Sequence, residues 1–391
     1  MPDMTKLKTG ILANIAQYRL QRRPTVQTWL LILMKLVAVV IAFLFIGLFI
    51  ELSGLSARDL AIHSIKSTLG SAFGLQQIAL LATPIILTGL ASAICIKMRL
   101  WNIGAEGHLY MGAWAATAIG LHWIAPEWAA FMAMFIAGAI AGALWMVVPA
   151  IAKAIWDINE IITTLMMNFV AILWVNIFAI GYWKDNVVVR SSAPIPYYLP
   201  KLSGSLHIGI LIAVGLAILL ALFLGKSNFG YEIKMIGLNR RAAEYVGMAV
   251  KKNIIIIMLI AGAIAGISGV IEVTGSTHRL NSFLSNRYGY TGIIVAILAD
   301  ANMIGTVFVG LMFSLFMNIG IVLQTQGLSA YIVVFSTGVI LLLVAIGEVL
   351  ARYQLVMVSI KNGAEQEQGG EELLLDKASP DPGDDRTDAA K

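Results

Sequence analysis

The chain has 391 residues, 59% of them hydrophobic and only 13% charged, with a mean hydropathy of +0.84. A soluble protein carries roughly 25% charged residues, so this composition excludes a water-covered globule and points to an all-α polytopic membrane protein. The formal charge of +5 and the pI near 9.2 fit basic loops beside membrane helices and are not read as nucleic-acid binding.

Residues 1–28 are polar and carry five Lys and Arg, which makes a cytoplasmic N-terminal segment and not a signal peptide, because the apolar run behind them is as long as a bilayer span. Apolar spans are predicted near 29–50, 77–96, 106–123, 129–151, 161–183, 207–225, 253–273, 304–323 and 331–351. Lys35, inside the first, can snorkel to the interface. A further segment, "GYTGIIVAILA" at 289–299, is too short to cross unaided; it crosses by borrowing 282–288, or it is a half-helix buried in protein. If it crosses, there are ten spans with both termini cytoplasmic, and Lys and Arg divide 19 inside to 7 outside; if not, they divide 14 to 12. The positive-inside rule favours ten. The chain then divides into the N-terminal segment 1–28, a transmembrane domain 29–351 and an acidic cytoplasmic tail 352–391 too poor in apolar residues to fold.

The single cysteine, Cys95, lies in an apolar stretch, so no intrachain disulfide can form. The stretch "RLWNIGAEGHLYMG", 99–112, puts Glu106 between glycines at the start of a span. Asn102 can cap a helix beginning near Gly104, with Glu106 in its first turn and Gly104 and Gly107 admitting close backbone. Glu106 then either completes a capped helix start or is a switch contact near a cytoplasmic gate. Gly138-x3-Gly142 and Gly262-x3-Gly266 are small-residue faces, for packing within the chain or against a second membrane subunit.

Glu160, Thr164 and Asn168 form one helical stripe, and Ser314 and Asn318 a shorter one. Such polar groups make interhelical hydrogen bonds or line a translocation path. Glu272, Thr274 and Ser276 sit near the outer end of the seventh span. The outer loop 184–206 holds "SSAPIPYYLP", a stiff surface segment available to a partner. The inside loop 226–252 contains "GYEIKMIGLNRRAAEYVGM", where Asn239 can cap a short helix from Arg240 to Val246 that Gly247 ends. Too short to persist alone, that helix must lie on the membrane surface or dock on a cytoplasmic partner. Gly-Lys-Ser at 225–227 is no phosphate loop, because position 220 is Leu where that loop needs Gly. No paired Cys or His offers metal spacing, and no catalytic constellation is present in the sequence.

"WNIGAEGHLYMGA", "NEIITTLMMNFVA" (159–171), "GYEIKMIGLNRRAAEYVGM" and "TGIIVAILADANMIG" (291–305) occur in an order that resembles the permease subunits of bacterial ABC importers for nucleosides and simple sugars, within the ribose and branched-chain amino-acid permease superfamily. The resemblance covers roughly 77–350; Lys234 stands where relatives more often have Arg, Arg240 where they have Pro, and Asp300 where they have Gly. It implies a multi-pass protein of the bacterial inner membrane, with no enzyme activity or cofactor of its own. It also implies a cytoplasmic ATPase that holds ATP and Mg, a second permease that is a different chain, and an extracytoplasmic solute-binding protein. Its ATPase-coupling segment would be Gly230, Lys234, Gly237, Asn239, Arg240, Arg241, Ala242, Ala243, Glu244 and Gly247. The competing reading is an ion-coupled secondary transporter; Glu272, Asp300 and Glu348 lie near span ends, not at the midplane where such carriers place ionisable groups.

Overall fold

The computed structural model describes residues 17–22, 28–52, 54, 56–186, 188 and 190–358. The acidic stretch from 361, most of the N-terminal lead and the side chains of Lys35 and Glu348 lie outside the described residues. In chain order the elements are β1 (Gln17–Arg22), α1 (Thr28–Leu52), α2 (Ala57–Leu69), α3 (Ala72–Lys97), α4 (Ala105–His122), α5 (Glu127–Trp156) and α6 (Glu160–Asn176), which runs on as a π-turn over Ile177–Tyr182. The short strands β2 (Lys201–Ser203) and β3 (Leu206–His207) precede α7 (Gly209–Lys226), α8 (Asn228–Leu238), α9 (Arg240–Tyr245) and α10 (Val250–Ile271), which ends in a π-turn over Glu272–Thr277. Then come α11 (Tyr288–Leu298), α12 (Met303–Thr325), α13 (Ala330–Arg352) and β4 (Tyr353–Val358). Among the described residues, seven helices are long and apolar enough to cross a bilayer. Every predicted apolar segment is helical, with its ends moved by a few residues.

The chain divides into two units, one formed by Met1–Leu44 with Ile340–Lys391 and the other by Phe45–Val339. In the first, β1 and β4 pair antiparallel from Gln17↔Val358 to Arg22↔Tyr353. Regular structure therefore runs seven residues into the stretch read from sequence as an unfolded tail from 352, because α13 ends at Arg352 and Tyr353–Val358 finds a partner strand. On α13, Gly347 lets the backbone come close to α1: a methyl there would stand 3.0 Å from the Met34 carbonyl oxygen.

The larger unit shows the solvent it was built for. Along α5 one ridge, Ala130, Met134, Gly138, Gly142, Met146 and Ala150, is buried, while Met132, Ile136, Ile140, Leu144 and Val148 are exposed. On α6 the order inverts that of a water-soluble helix: Glu160, Thr164 and Asn168 are buried, and Ile162, Met166, Phe169 and Leu173 face out. Contiguous apolar ridges on several helices, with polar groups turned inward, suit lipid and not water. Helix α3 is buried without a break from Ala82 to Cys95 and is the central element.

Helices α4, α5 and α10 meet through glycines. A methyl on Gly262 would stand 2.5 Å from the Gly142 carbonyl oxygen, and one on Gly142 would stand 2.9 Å from the Gly266 Cα. The two small-residue faces therefore pack on each other within the chain, which decides between the two readings given for them. Two helices escaped the sequence reading. Amphipathic α2 lies inside the stretch read as an outside loop and is capped by Ser56, whose hydroxyl accepts from Asp59 N at 3.3 Å. Helix α8 opens the inside loop, capped by Ser227.

The 184–206 loop is less available than its prolines suggested. Ile195 and Leu199 are buried; Ile195 N bonds the His278 carbonyl at 3.0 Å and Leu199 N the Thr274 carbonyl at 2.9 Å. Arg279 pairs with Asp185 and tightens the same strap. His207, 1% exposed, accepts from Gly209 N through Nδ1 at 3.1 Å, which requires a neutral ring. Burial, and then the neighbouring His278, hold it down at about 4; His278 is itself lowered by burial and by Lys201.

Two outcomes follow for the purified chain in detergent. Gly142→Leu drives a side chain into a backbone contact and should cost about 3 kcal/mol or more, seen as a lower melting temperature, whereas Gly215→Ala, with nothing within 4 Å, should gain about 0.5 kcal/mol. A folded-state His207 near 4 against an ordinary 6.5 means that the unfolded chain takes the proton first. Stability should therefore fall as pH drops from 6.5 to 4, and His207→Gln should flatten that part of the melting-temperature profile.

Candidate functional site

The sequence singled out the 99–107 turn, the α6 stripe and the loop before α10. The structure joins all three. Helix α3 ends in a left-handed Arg99 (φ 57°), and Leu100 N closes the turn on the Cys95 carbonyl at 3.1 Å. The next residues climb along α6. Trp101 N bonds Glu160 Oε1 at 3.2 Å, Ile103 N bonds Thr164 Oγ1 at 3.3 Å, and Gly107 N bonds Asn168 Oδ1 at 2.8 Å. Asn168 Nδ2 also donates to the Ile103 carbonyl at 2.8 Å and to Tyr290 at 3.3 Å. Residues 160 to 168 span about 12 Å of helix, so α4 starts well inside the unit and not at its rim.

Asn102 is not the N-cap. Gly104 holds that position, and Asn102 Oδ1 accepts from Gly104 N at 2.9 Å, two residues too early to cap. The glycines do admit close neighbours: a methyl on Gly107 would stand 2.9 Å from the Asn168 Cα, and one on Gly104 would stand 3.1 Å from the Thr164 Cβ.

Glu106, 3% exposed, accepts from Gly289 N at 2.8 Å. Its carboxylate therefore sits in the first turn of α4 and also on the first turn of α11, where Tyr288 N is held by Ser285 Oγ at 3.0 Å. Anions are favoured at both places. The Tyr288 carbonyl takes the Thr88 hydroxyl at 2.9 Å, midway along α3. At its far end Asp300, left-handed at φ 52°, lies near Lys97 at the end of α3. Helix α11 thus covers only the last half of α3. Such a left-handed turn suits Gly best, and Asp is among the residues that tolerate it.

The segment predicted for ATPase coupling forms a projecting knuckle. Asn239 caps α9, accepting from Ala242 N at 3.1 Å, and Gly247 takes the left-handed exit at φ 83°. Ala243 docks inward at 3% exposure, whereas Tyr245 and Val246 are 92% and 73% exposed. These two exposed apolar residues were not among the predicted coupling residues; their place on the solvent face of a helix this short is set by docking and not by sequence period. Gly230 lets its turn close on Leu224, Gly237 packs on the Lys97 carbonyl, and Lys234 is exposed on α8. Asn253 Nδ2 of α10 bonds Glu232 Oε2 at 2.5 Å and fixes α8. A cavity of about 410 Å³ lies behind the knuckle, lined by Arg99, Lys153, Asn239 and Arg240.

Charges link the knuckle to the α6 stripe. Arg240 Nη1 lies 3.2 Å from Asp157 Oδ1, and Lys153 Nζ lies 3.0 Å from both Asp157 Oδ1 and Glu160 Oε2. Lys153 and then Arg240 hold the Asp157 carboxyl below its ordinary value. Arg240 also meets Glu244 at 3.5 Å; Arg241 is exposed. A continuous chain therefore runs from α9 through Asp157, Lys153 and Glu160 to the backbone that starts α4. Ser314 and Asn318 are buried on α12; Ser314 Oγ bonds back to the Gly310 carbonyl at 2.8 Å, and among the described residues no hydrogen bond joins either to the α6 stripe. Among the described residues no cluster of His, Cys, Asp and Glu could hold a metal ion.

Residues 74–345 match the family model for the branched-chain amino acid transport system / permease component. The chain is 31% identical to the guanosine ABC transporter permease protein NupP of Bacillus subtilis, over 71% of this chain and 82% of that one. It is 29% identical to the glucose ABC transporter permease protein TsgB13 of Haloferax volcanii, over 89% and 96%. It is 28% identical to the nucleoside ABC transporter permease protein NupB of Lactococcus lactis, over 81% and 91%. With lipid-facing apolar ridges around an interior of interrupted helices, the chain is a multi-pass membrane permease that belongs to the family of branched-chain amino acid transport system permease components.

Proposed function

We propose that the chain is the membrane subunit of an ABC importer for a small polar solute, a nucleoside or a simple sugar, delivered by an extracytoplasmic binding protein. ATP and Mg are held by a separate cytoplasmic ATPase, and a second permease, a different chain, completes the pore. Guanosine, nucleoside and glucose in the relatives' names support the solute class. The same names favour ATP-driven import over an ion-coupled carrier.

The observation that carries the coupling role is the α9 knuckle with the charge chain behind it. ATPase movement pressed on Tyr245, Val246 and Arg241 reaches Asp157 through Arg240, then Lys153 and Glu160, and moves the backbone at Trp101 that positions α4. The outer rung, with Asp157 mostly exposed, is weak and remakes easily; the inner rung is shielded and transmits.

Ten crossings with cytoplasmic termini fit the geometry. The antiparallel pairing of β1 with β4, which brings Gln17–Arg22 beside Tyr353–Val358, supports an even number of crossings. Helix α11, entered by the non-helical stretch before it, supplies the tenth. The polar path runs by Glu160, Thr164 and Asn168, whose hydrogen bonds to the 101–107 backbone make that wall movable, with Ser314 and Asn318 on a second wall. Glu106 acts as the fixed anchor of α11 beside it.

Arg240→Glu with Arg241→Glu should abolish ATP-dependent uptake and reduce ATPase co-purification, with the permease still in the membrane; full uptake would refute the docking role. Asp157→Ala should lower uptake several-fold with the ATPase still bound, because only transmission is cut. Asn168→Ala leaves the Gly107 amide and the Ile103 carbonyl unpaired and should cost about 1–3 kcal/mol, read as a lower melting temperature together with altered uptake; normal values of both would make the clamp dispensable.

A further inference from the structure

We propose that the cavity between the outer end of α3, the β2–β3 hairpin and the π-turn after α10 is a solute site of the permease itself, holding the vicinal diol of a ribose or hexose on the Glu272 carboxylate. This rests on the importer reading above. The cavity measures about 370 Å³, within the roughly 300–1,000 Å³ of small-molecule sites. Gln77, Lys201, Ser205, Glu272, Ser276, His278 and Tyr288 give it its polar lining.

Three observations build the site. First, Glu272 is 6% exposed, lies at the end of an apolar helix and forms no ion pair among the described residues. A carboxylate placed there is costly unless it has work to do. Ser276 lies beside it in the cavity lining, and a carboxylate has about four acceptor positions to fill. Second, α10 changes from α to π winding at Glu272, with His278 N bonding the Val273 carbonyl at 2.9 Å. Single π-turns inside helices are frequent at functional sites. This one brings Glu272, Gly275 and Ser276 to the cavity wall, and Gly275 is required because a methyl there would stand 2.6 Å from the His207 ring. Third, the floor is Tyr288, the first residue of the half-helix α11, whose next amide is held by Glu106.

The chemistry selects the ligand class. Two adjacent hydroxyls can donate to the two oxygens of one carboxylate, as an acidic residue does for ribose in dinucleotide sites. Lys201, Gln77 and Ser205 add donors to the lining, and Tyr288 adds an aromatic residue. Lys201 and Glu272 are of opposite charge, and His278 is held toward its neutral form by burial and by Lys201, so the lining favours a solute without net charge.

The test uses the full-length chain in detergent, with uridine, ribose, leucine and 2′,3′-dideoxyuridine as probes in equilibrium dialysis. Uridine should bind about tenfold tighter than its dideoxy analogue, the loss expected when a charged acceptor loses its donors. Glu272→Gln should weaken uridine by a similar factor, and Leu81→Trp, which fills the cavity, should abolish binding. Equal binding of uridine and the dideoxy analogue to the wild-type chain would overturn the assignment without any variant. So would leucine binding in place of uridine and ribose, or wild-type affinity in both variants. ATP-dependent uptake by the assembled wild-type importer is measured alongside. If it fails for every probe, the importer reading falls; if it succeeds while the variants bind normally, only the site assignment falls.

Discussion

A helix that stops inside lipid leaves its first amide groups without water, and each one unpaired costs several kcal/mol. Two helices of this chain begin away from the ends of the helices they pack on, where the same need arises. Helix α4 begins beside the middle of α6, and α11 begins beside the middle of α3. The rest of the interior answers that need. Asn102, Thr164, Glu160 and Asn168 take the amides leading into α4, and Ser285 and Glu106 take those opening α11. The question posed by a carboxylate at a span start is thereby answered. Glu106 serves two helix beginnings at once, and its partner lies 183 residues away.

The same residues also connect. The hydrogen bonds that satisfy the backbone before α4 are side-chain bonds and not helix bonds, so they can be exchanged without unwinding a helix. The chain of contacts is graded in burial: Asp157 is 66% exposed at its side chain, Lys153 16% and Glu160 9%. Contacts are soft where a partner would press and firm where the interior is reached. That gradient suits a lever better than either a fully wet or a fully dry ion chain would.

Much of this was legible in the chain itself. Lipid imposes long apolar runs, so the long apolar helices were readable to within a few residues at their ends, as was the Asn239 cap, which depends only on local bonding. Relations between distant segments were not. The i, i+4, i+8 spacing of Glu160, Thr164 and Asn168 showed a polar stripe, but only the fold shows that its partner is the 101–107 backbone. Asn102 looked like a cap because its type and position suit one; α4 starts two residues later than that role needs. Amphipathic α2 has too little apolar length to register as a span and was lost among loop residues. The prolines in 184–206 hid a strap whose bonds are to backbone 80 or so residues onward, as in Ser192 N to the Leu280 carbonyl at 2.9 Å.

The glycine seam where α4, α5 and α10 touch sets a limit on how such a molecule can work. Side chains normally act as spacers that let helices roll or slide; here carbonyl lies on Cα with nothing between. These three rods behave as a single keel. Helix α11 stands apart from that seam, hanging from one carboxylate and meeting α3 across Gly89 and Gly292. Any push that reaches α4 through the turn at Trp101 therefore carries α5 and α10 along with it.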